Sequence, residues 1–326
     1  MTALVPSLSF STNSMGDYLM LNGLSNKYVL ILINGKKLTG DSSNNIDLNR
    51  IDMSNVKRIE VLKGAGSALY GSDAIGGVIN IITNQPINDI TVTSNTKVEE
   101  RGQFTQTANA DIKTEKFASY TSYQRRQADG WTLTRVDADG EARDKHDANA
   151  FYTDNYTQMF QFTPNDKLSM YVEGSYYDRT VKRQPEYLKY NLTYDAYSLG
   201  AGAKYNFNKR SYIQFDIKND NYDTNYLYTN EDGDNKVGDE VRQKRQHYYS
   251  GNLKSLFRFT ENTRTIFGVE YIQETLDRPS FNVDERAYTW AAYAQEEITL
   301  FKNLQIQAGL RYVYHETAKS NVTPKL

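Results

Sequence analysis

The sequence predicts an antiparallel β-barrel that crosses a membrane, preceded by a small α+β domain. Three observations carry that prediction. Apolar and polar residues alternate with period two over most of the chain after Ile90. The alternating segments run to roughly 11 to 17 residues, well beyond the usual five or six of a soluble strand. Their connections alternate between short turns and long polar links.

Composition narrows the class. The chain has 326 residues, no cysteine and a net charge of -2. Disulfides and thiolate metal sites are excluded, and no basic bias points to nucleic acid. The longest purely aliphatic run is Val29 to Ile33, far short of the about 20 apolar residues of a membrane helix. A mean hydropathy of -0.70 describes a soluble chain on its face. Against it stand 26 Tyr, 13 Phe and 2 Trp in a sequence that is only 39% hydrophobic.

The aromatics divide the chain. Residues 1–86 hold four of them, Phe10, Tyr18, Tyr28 and Tyr70, and the remainder holds 37. Glycine runs the other way, with nine of 20 before Pro86. The domains are therefore residues 1–86, aliphatic and rich in small residues, and residues 87–326, aromatic and polar. Met1–Phe10 lacks a basic region followed by an apolar one, so it does not read as a signal peptide.

Eleven strands follow from the alternation: 90–100, 103–113, 117–127, 151–163, 168–178, 194–207, 211–223, 243–259, 264–275, 286–300 and 304–315. In the sixth, Tyr197, Leu199, Ala201, Ala203, Tyr205 and Phe207 share one face, and small or polar residues share the other. Short turns fall at 114–116, 164–167, 208–210, 260–263 and 301–303. Long links fall at 128–150, 179–193, 224–242 and 276–285, with Arg101–Gly102 the short exception. Pro86, Pro164, Pro185, Pro279 and Pro324 are all read in turns or links, where no ladder donor is lost. A sandwich would use shorter strands. In a membrane barrel the apolar face meets lipid and the wall satisfies every backbone group. Tyr205, Tyr212, Tyr248, Tyr249, Tyr312 and Tyr314 sit at strand ends, as interfacial girdles do. Short turns then face the periplasm and long links the exterior.

In the first domain, Tyr28–Asn34 reads as a buried strand, Asn34-Gly35 as a hairpin turn and 37–39 as the return. Ser54 reads as the cap of a short helical turn, followed by strands 58–62 and 78–83. The glycines after the first of these strands do not make a dinucleotide site, because Leu69 stands where the third glycine belongs. Ser67 is not a nucleophile elbow, since Ala65 and Leu69 hold the flanking glycine positions.

The stretch Arg58-Ile-Glu-Val-Leu-Lys-Gly64 and the stretch Leu69-Tyr-Gly-Ser-Asp-Ala-Ile-Gly-Gly-Val-Ile-Asn-Ile-Ile-Thr83 resemble the plug domain of TonB-dependent outer-membrane receptors. The resemblance implies a 22-stranded barrel closed by an N-terminal plug, so residues 87–326 would be the N-terminal half of the wall. The fold class is thus a partial all-β transmembrane barrel, about 11 of 22 antiparallel strands, with a small α+β plug that lacks its start. It further implies a transporter in the outer membrane of a Gram-negative bacterium, no enzyme, with no catalytic residues and no resident cofactor or metal. Its partners would be the TonB energy-coupling complex, through a missing N-terminal segment, outer-membrane lipid and lipopolysaccharide, and a scarce small molecule. Gly64, Gly71, Gly76 and Gly77 match the family's glycines, and Glu60 and Tyr70 its strand and turn. Two positions depart from the pattern. Asn22-Gly23-Leu24 replaces Arg-Gly-Leu, and Lys63 replaces the arginine before Gly64. Such arginines are thought to pair with barrel carboxylates, so the plug–wall lock is expected to differ here. Eleven strands suggest an internal piece of a receptor, or one part of a split one, that would not transport alone.

The ligand stays open between three chemistries. Haem would take His or Tyr as axial ligands. His146 and His315 are the candidates, with His315 sharing the inward parity of Arg311. A ferric siderophore would be drawn by Arg125, Arg126, Arg179, Lys182 and Arg183 at strand ends. Cobalamin receptors of the family use calcium-ordered loops, and Asp137–Glu141 and Glu231–Asn235 carry spaced carboxylates. Ile75-Gly-Gly-Val-Ile-Asn80 is unlike the glycan-importing subfamily. The readings from other classes are a passive porin or adhesin, and a docking fragment without transport.

Overall fold

The computed structural model describes residues 8–13, 16–21, 23–24, 28–39, 46–63, 74–86, 89–136, 139–183, 188–301 and 304–325. Among these residues helical structure is confined to 3-10 turns, and the rest of the regular structure is strand.

The N-terminal unit begins with a hairpin of β1 (Leu8–Asn13) and β2 (Gly16–Leu21). A four-stranded sheet follows, built from β3 (Val29–Ile33), β4 (Lys36–Lys37), β5 (Val56–Lys63) and β6 (Gly77–Thr83) in the order β4-β3-β6-β5. The aliphatic run becomes β3 because both its faces are covered, as in a central strand paired in parallel. Val29 and Ile31 pack with Leu21, Leu38, Ile46 and Ile51 on one side, and Leu30 and Leu32 pack with Ala74 and Val78 on the other. Asn34 (φ 50°) and Gly35 (φ 81°) form the hairpin turn their sequence announces.

The wall is one twelve-stranded antiparallel sheet. It comprises β7 (Ile90–Val98), β8 (Phe104–Lys113), β9 (Phe117–Ala128), β12 (Ala150–Phe162), β13 (Leu168–Lys182) and β14 (Tyr190–Asn208). It continues through β15 (Ser211–Tyr228), β16 (Glu240–Phe257), β17 (Thr263–Arg278), β18 (Val283–Leu300), β19 (Leu304–His315) and β20 (Lys319–Lys325). Each of the eleven strands read from the sequence has its counterpart. The predicted short turns stay short. No helix is long and apolar enough to cross a membrane among the described residues.

Four expectations are corrected. First, a twelfth strand, β20, pairs with β19 and contains Pro324 opposite Leu310. Pro324 is therefore in a strand, tolerated because β20 has a neighbour on one side only. Second, the long links are mostly strand. The link read at 224–242 shrinks to 229–239 as β15 and β16 run on, and 128–150 contains a separate hairpin, β10 (Trp131–Val136) with β11 (Ala142–Ala148). Polar composition suggested loops, yet the ladder continues above the apolar belt on stacked aromatics such as Tyr190 on Tyr226, 3.7 Å between ring centroids. Third, Tyr212 and Tyr248 leave the outer girdle and face inward, Tyr212 beside Leu256, Ile266 and Tyr293, and Tyr248 beneath Lys37. Period two forces this: of Tyr248 and Tyr249 only one can face lipid, and it is Tyr249. Fourth, Ser54 is not a cap. Asp52 caps the 3-10 turn Met53–Asn55, and Ser54 lies inside it.

The outer face is apolar. Val172, Leu199, Phe215, Ile217, Leu253, Phe267, Val269 and Leu310 are exposed on it. Toward the long-link ends comes a cross-strand row of tyrosines, Tyr123, Tyr156, Tyr176 and Tyr197. Two residues further along the strands runs a charged row: Arg125, Asp154, Asp178, Asp195, Asp223 and Arg245, each opposite the next.

Candidate functional site

The inner face of the wall carries the N-terminal unit, and contacts to it come from residues 36–39 and 46–54. Two 3-10 turns follow each other, Leu48–Arg50 and Met53–Asn55, each capped by an aspartate. Asp47 Oδ1 accepts from Asn49 N at 3.0 Å, and Asp52 Oδ1 accepts from Ser54 N at 2.9 Å. Capping uses one oxygen and leaves the other for the wall. Asp47 Oδ2 accepts from Tyr177 Oη at 2.6 Å and from Arg179 Nη1 at 3.0 Å. Asp52 Oδ2 accepts from Ser122 Oγ at 2.6 Å, and Gln124 Nε2 reaches Oδ1 at 2.9 Å. Between them, Asn49 accepts from Arg126 through its side chain and from Asn155 through its carbonyl, both at 2.9 Å.

Arg50 has the opposite sign and the opposite partner. Its Nη2 lies 2.7 Å from Asp220 Oδ1, its Nη1 donates to Thr39 O at 3.0 Å, and its guanidinium lies over the Tyr222 ring. Asp220 also accepts from Thr39 Oγ1 and pairs with Lys218, which donates to Lys37 O at 2.8 Å. Lys36 pairs with Glu173 at 2.5 Å and sits 3.8 Å from the centre of the Tyr171 ring. Strand periodicity assembles the receiving side: Tyr171, Glu173, Tyr177 and Arg179 share one face of β13, and Lys218, Asp220 and Tyr222 one face of β15.

These charges are desolvated. Burial opposes ionisation of Asp47, but Arg179 with the Tyr177 and Asn49 donors outweighs it and holds the carboxyl below its ordinary value. Burial likewise opposes the charge on Arg50, and Asp220 outweighs it and raises the guanidinium. Removing one partner of such a pair strands the other and costs about 3–5 kcal/mol.

The residues singled out in the sequence divide between faces. Arg126 and Arg179 face the N-terminal unit, as above. Arg125 faces outward and pairs with Asp154 at 3.0 Å. Arg311 faces inward, buried against Glu270 at 2.5 Å and the Tyr293 ring. His315 Nδ1 accepts from Thr317 N and Ala318 N, both at 3.1 Å, and so caps the turn into β20. His146 lies in β11, on a separate sheet from His315, with its side chain outside the described residues. Asp232 closes a tight turn with Asn235 and pairs with Lys189. Gly23 (φ 75°) lies in a turn, and Gly76 N donates to Tyr28 O at 2.7 Å. Gly77 (φ 140°) must be glycine, because a Cβ there would stand 2.5 Å from Leu62 O and 2.6 Å from Leu21 Cδ2. Glu60 pairs with Arg58 and accepts from Asn80. Asn22, Gly64, Tyr70, Gly71 and the Lys63 side chain lie outside the described residues.

Sequence reasoning missed Asp47, Arg50, Asp52 and Asp220. The signal was there in Ile46-Asp-Leu-Asn-Arg-Ile-Asp52, three charges set between aliphatic residues that the core takes.

A wall of long antiparallel strands, apolar outside and ion-paired on its inner face to a compact domain, has the make-up of part of a plugged outer-membrane barrel. The chain belongs to the TonB-dependent receptors: residues 1–78 match the TonB-dependent receptor plug domain, and residues 101–326 match the TonB-dependent receptor-like β-barrel. This is a family of receptors and not of enzymes, found in Gram-negative outer membranes. The FrpB iron transporter of Neisseria meningitidis (F5-1 variant) superposes with a TM-score of 0.77 at 17% identity, over 100% of this chain and 57% of its own. The ferric yersiniabactin uptake receptor FyuA of Yersinia pestis does so with a TM-score of 0.70 at 17% identity, over 99% and 57%. In sequence, the vitamin B12 transporter BtuB of Photobacterium profundum is 41% identical over 63 residues, 19% of this chain and 10% of its own. The chain thus spans just over half the length of these solved receptors and a tenth of that curated relative.

Proposed function

We propose that this chain supplies the plug and part of the wall of a receptor for active uptake across the outer membrane of a Gram-negative bacterium, and that its ligand is an iron complex, haem or a ferric siderophore. The observation that carries the reading is the plug's attachment. The inner face of the wall carries a domain held through point contacts at Lys36, Asp47, Arg50 and Asp52. A passive pore has no use for such an obstruction, whereas an energised partner can break polar contacts one by one. The coupling partner in this reading is the TonB complex, acting through a segment before the plug, and the apolar outer face with its charged row meets lipid and lipopolysaccharide. The iron reading is supported by aromatic residues toward the long-link end of the inner wall, where Tyr190 stacks on Tyr226 and meets Tyr228 edge-on, and Arg179 lies over the Tyr194 ring. Structural neighbours such as FrpB and FyuA are iron receptors by name.

Cobalamin is the second reading, favoured by the local identity to BtuB transporters. Uptake of haemin, ferric siderophores and cobalamin by cells expressing the full-length gene separates the two. Uptake that persists after deletion of the energy-coupling system overturns active import. For haem, the Soret band of the wild type should change in the His146→Ala/His315→Ala variant, and an unchanged band removes those ligands.

A further inference from the structure

A cavity of about 140 Å³ lies between plug and wall. Its surface is mostly apolar, with Ile33, Leu38, Ile51, Val56 and Ile81 on the plug side and Met159 on the wall side. An engineered apolar cavity of about 150 Å³ stays dry and takes up benzene, so this one has room for a single aromatic ring.

The polar groups at its surface decide what kind of ring. Each charged side chain there already has a partner. Lys36 pairs with Glu173, Arg50 and Lys218 pair with Asp220, and Asp52 accepts from Ser122 and Gln124. A charged guest would lose its hydration on entry and find no free counter-charge, so the cavity selects a neutral one. Two other polar atoms have no partner. Tyr120 Oη, on β9, and Asn55 Oδ1, at the end of the second 3-10 turn of the plug, are buried without a hydrogen bond, and both residues are more than nine-tenths buried. The first is a hydroxyl that can donate, and the second is an oxygen that can only accept. Water can pair with them, but it finds too few polar partners along the apolar remainder. A hydroxyl carried on a ring offers an acceptor to Tyr120 and a donor to Asn55, while the ring covers the apolar surface.

We infer that this cavity is a binding site for a small neutral phenol, with its ring among the aliphatic side chains and its hydroxyl toward Tyr120 and Asn55. The cavity shares no residue with the Tyr190, Tyr226 and Tyr228 group. It is therefore separate from the contacts that support the iron reading, and the inference stands without the uptake reading.

The test uses the purified full-length receptor in lipid nanodiscs, with 4-fluorophenol as the probe and fluorobenzene as the same ring without the hydroxyl, both followed by fluorine NMR. The wild type should bind 4-fluorophenol saturably, with a Kd of about 1 mM or below, and fluorobenzene on the order of tenfold more weakly. Tyr120→Phe should fold, because it removes only an unpaired hydroxyl. It should weaken 4-fluorophenol about fivefold and leave fluorobenzene unchanged. Ser198→Phe, which puts a ring into the cavity from the wall side, should abolish saturable binding of both. Absence of saturable 4-fluorophenol binding to the wild type would mean that the cavity holds water only, and it overturns the inference. Equal affinity of the wild type for the two probes, or 4-fluorophenol binding that Tyr120→Phe leaves untouched, overturns it as well. Should Ser198→Phe fail to fold, the comparison of the two probes on wild type and Tyr120→Phe still decides.

Discussion

Asp47 and Arg179 meet at 3.0 Å across the boundary between plug and wall, with side chains 11% and 17% exposed. Asp47 also caps its own 3-10 turn, so one carboxylate fixes both the local shape of the segment and its anchorage. Asp47→Asn should therefore strand Arg179 and weaken plug docking by about 3–5 kcal/mol at neutral pH. The acid response follows from the same contacts. The folded-state value lies below the ordinary 3.8, so the contribution is fully present above that value and is lost as pH falls through the lower one. Docking should be flat from neutral pH to about 4 and weaken only below it. Urea midpoints for plug release, read by a protease pulse after incubation at each pH, check both parts. An Asp47→Asn midpoint equal to wild type would count against the pair as an anchor.

Gly268 and Tyr293 fit as a socket and a ring. A Cβ on Gly268 would overlap the phenol end of Tyr293, at Cζ and Oη, and that ring packs inward with Leu256 and Ile266. Gly268→Ala should destabilise the wall by about 1–3 kcal/mol through overpacking. In a Tyr293→Ala background the same change should cost far less, because the ring is gone. Thermal unfolding of the four members of this cycle gives the coupling, and simple additivity would rule out the socket.

The fold was legible where a single periodicity decides it. Alternation located every wall strand down to β19, because the two faces meet lipid and lumen. It lost β20, where Ser320, Asn321 and Thr323 give little contrast and a proline intervenes. It also cut β15 and β16 short, since above the lipid belt neither face needs to be apolar. The site was harder to read. Arg179 and Arg126 were visible as charges near strand ends, but a charge does not announce its partner. Asp47 and Asp220 stand 173 positions apart and meet through the surroundings of Arg50. The histidines stood out through rarity alone, and rarity carries no geometry: His315 turns out to cap a turn.

Asp178 stands between Asp154 and Asp195 on the outer face, directly opposite each on the neighbouring strands. Like charges so placed repel by about 0.2–1 kcal/mol. Asp178→Asn should raise the unfolding temperature, most at low ionic strength, and the gain should shrink as salt screens the row. A lower unfolding temperature for the variant, or a gain insensitive to salt, would mean that this aspartate is not under repulsion.

Asp52 offers a way to separate local capping from anchorage. Its Oδ1 caps the turn at Ser54 N, 2.9 Å away, while Ser122 at 2.6 Å and Gln124 at 2.9 Å tie it to β9. Serine caps a helical turn nearly as well as aspartate but is too short to reach the wall. Asp52→Ser should keep the Ser54 amide protected from hydrogen exchange and yet loosen the plug from β9. Asp52→Ala should lose both, with about 1 kcal/mol of the difference belonging to the cap. Exchange at Ser54 reports the first effect, and cross-linking yield between Ser54→Cys and Asn109→Cys, whose native side chains meet at 3.4 Å, reports the second. If Asp52→Ser and Asp52→Ala behaved alike in both measurements, the two roles would not be separable, and the carboxylate would act as an anchor alone.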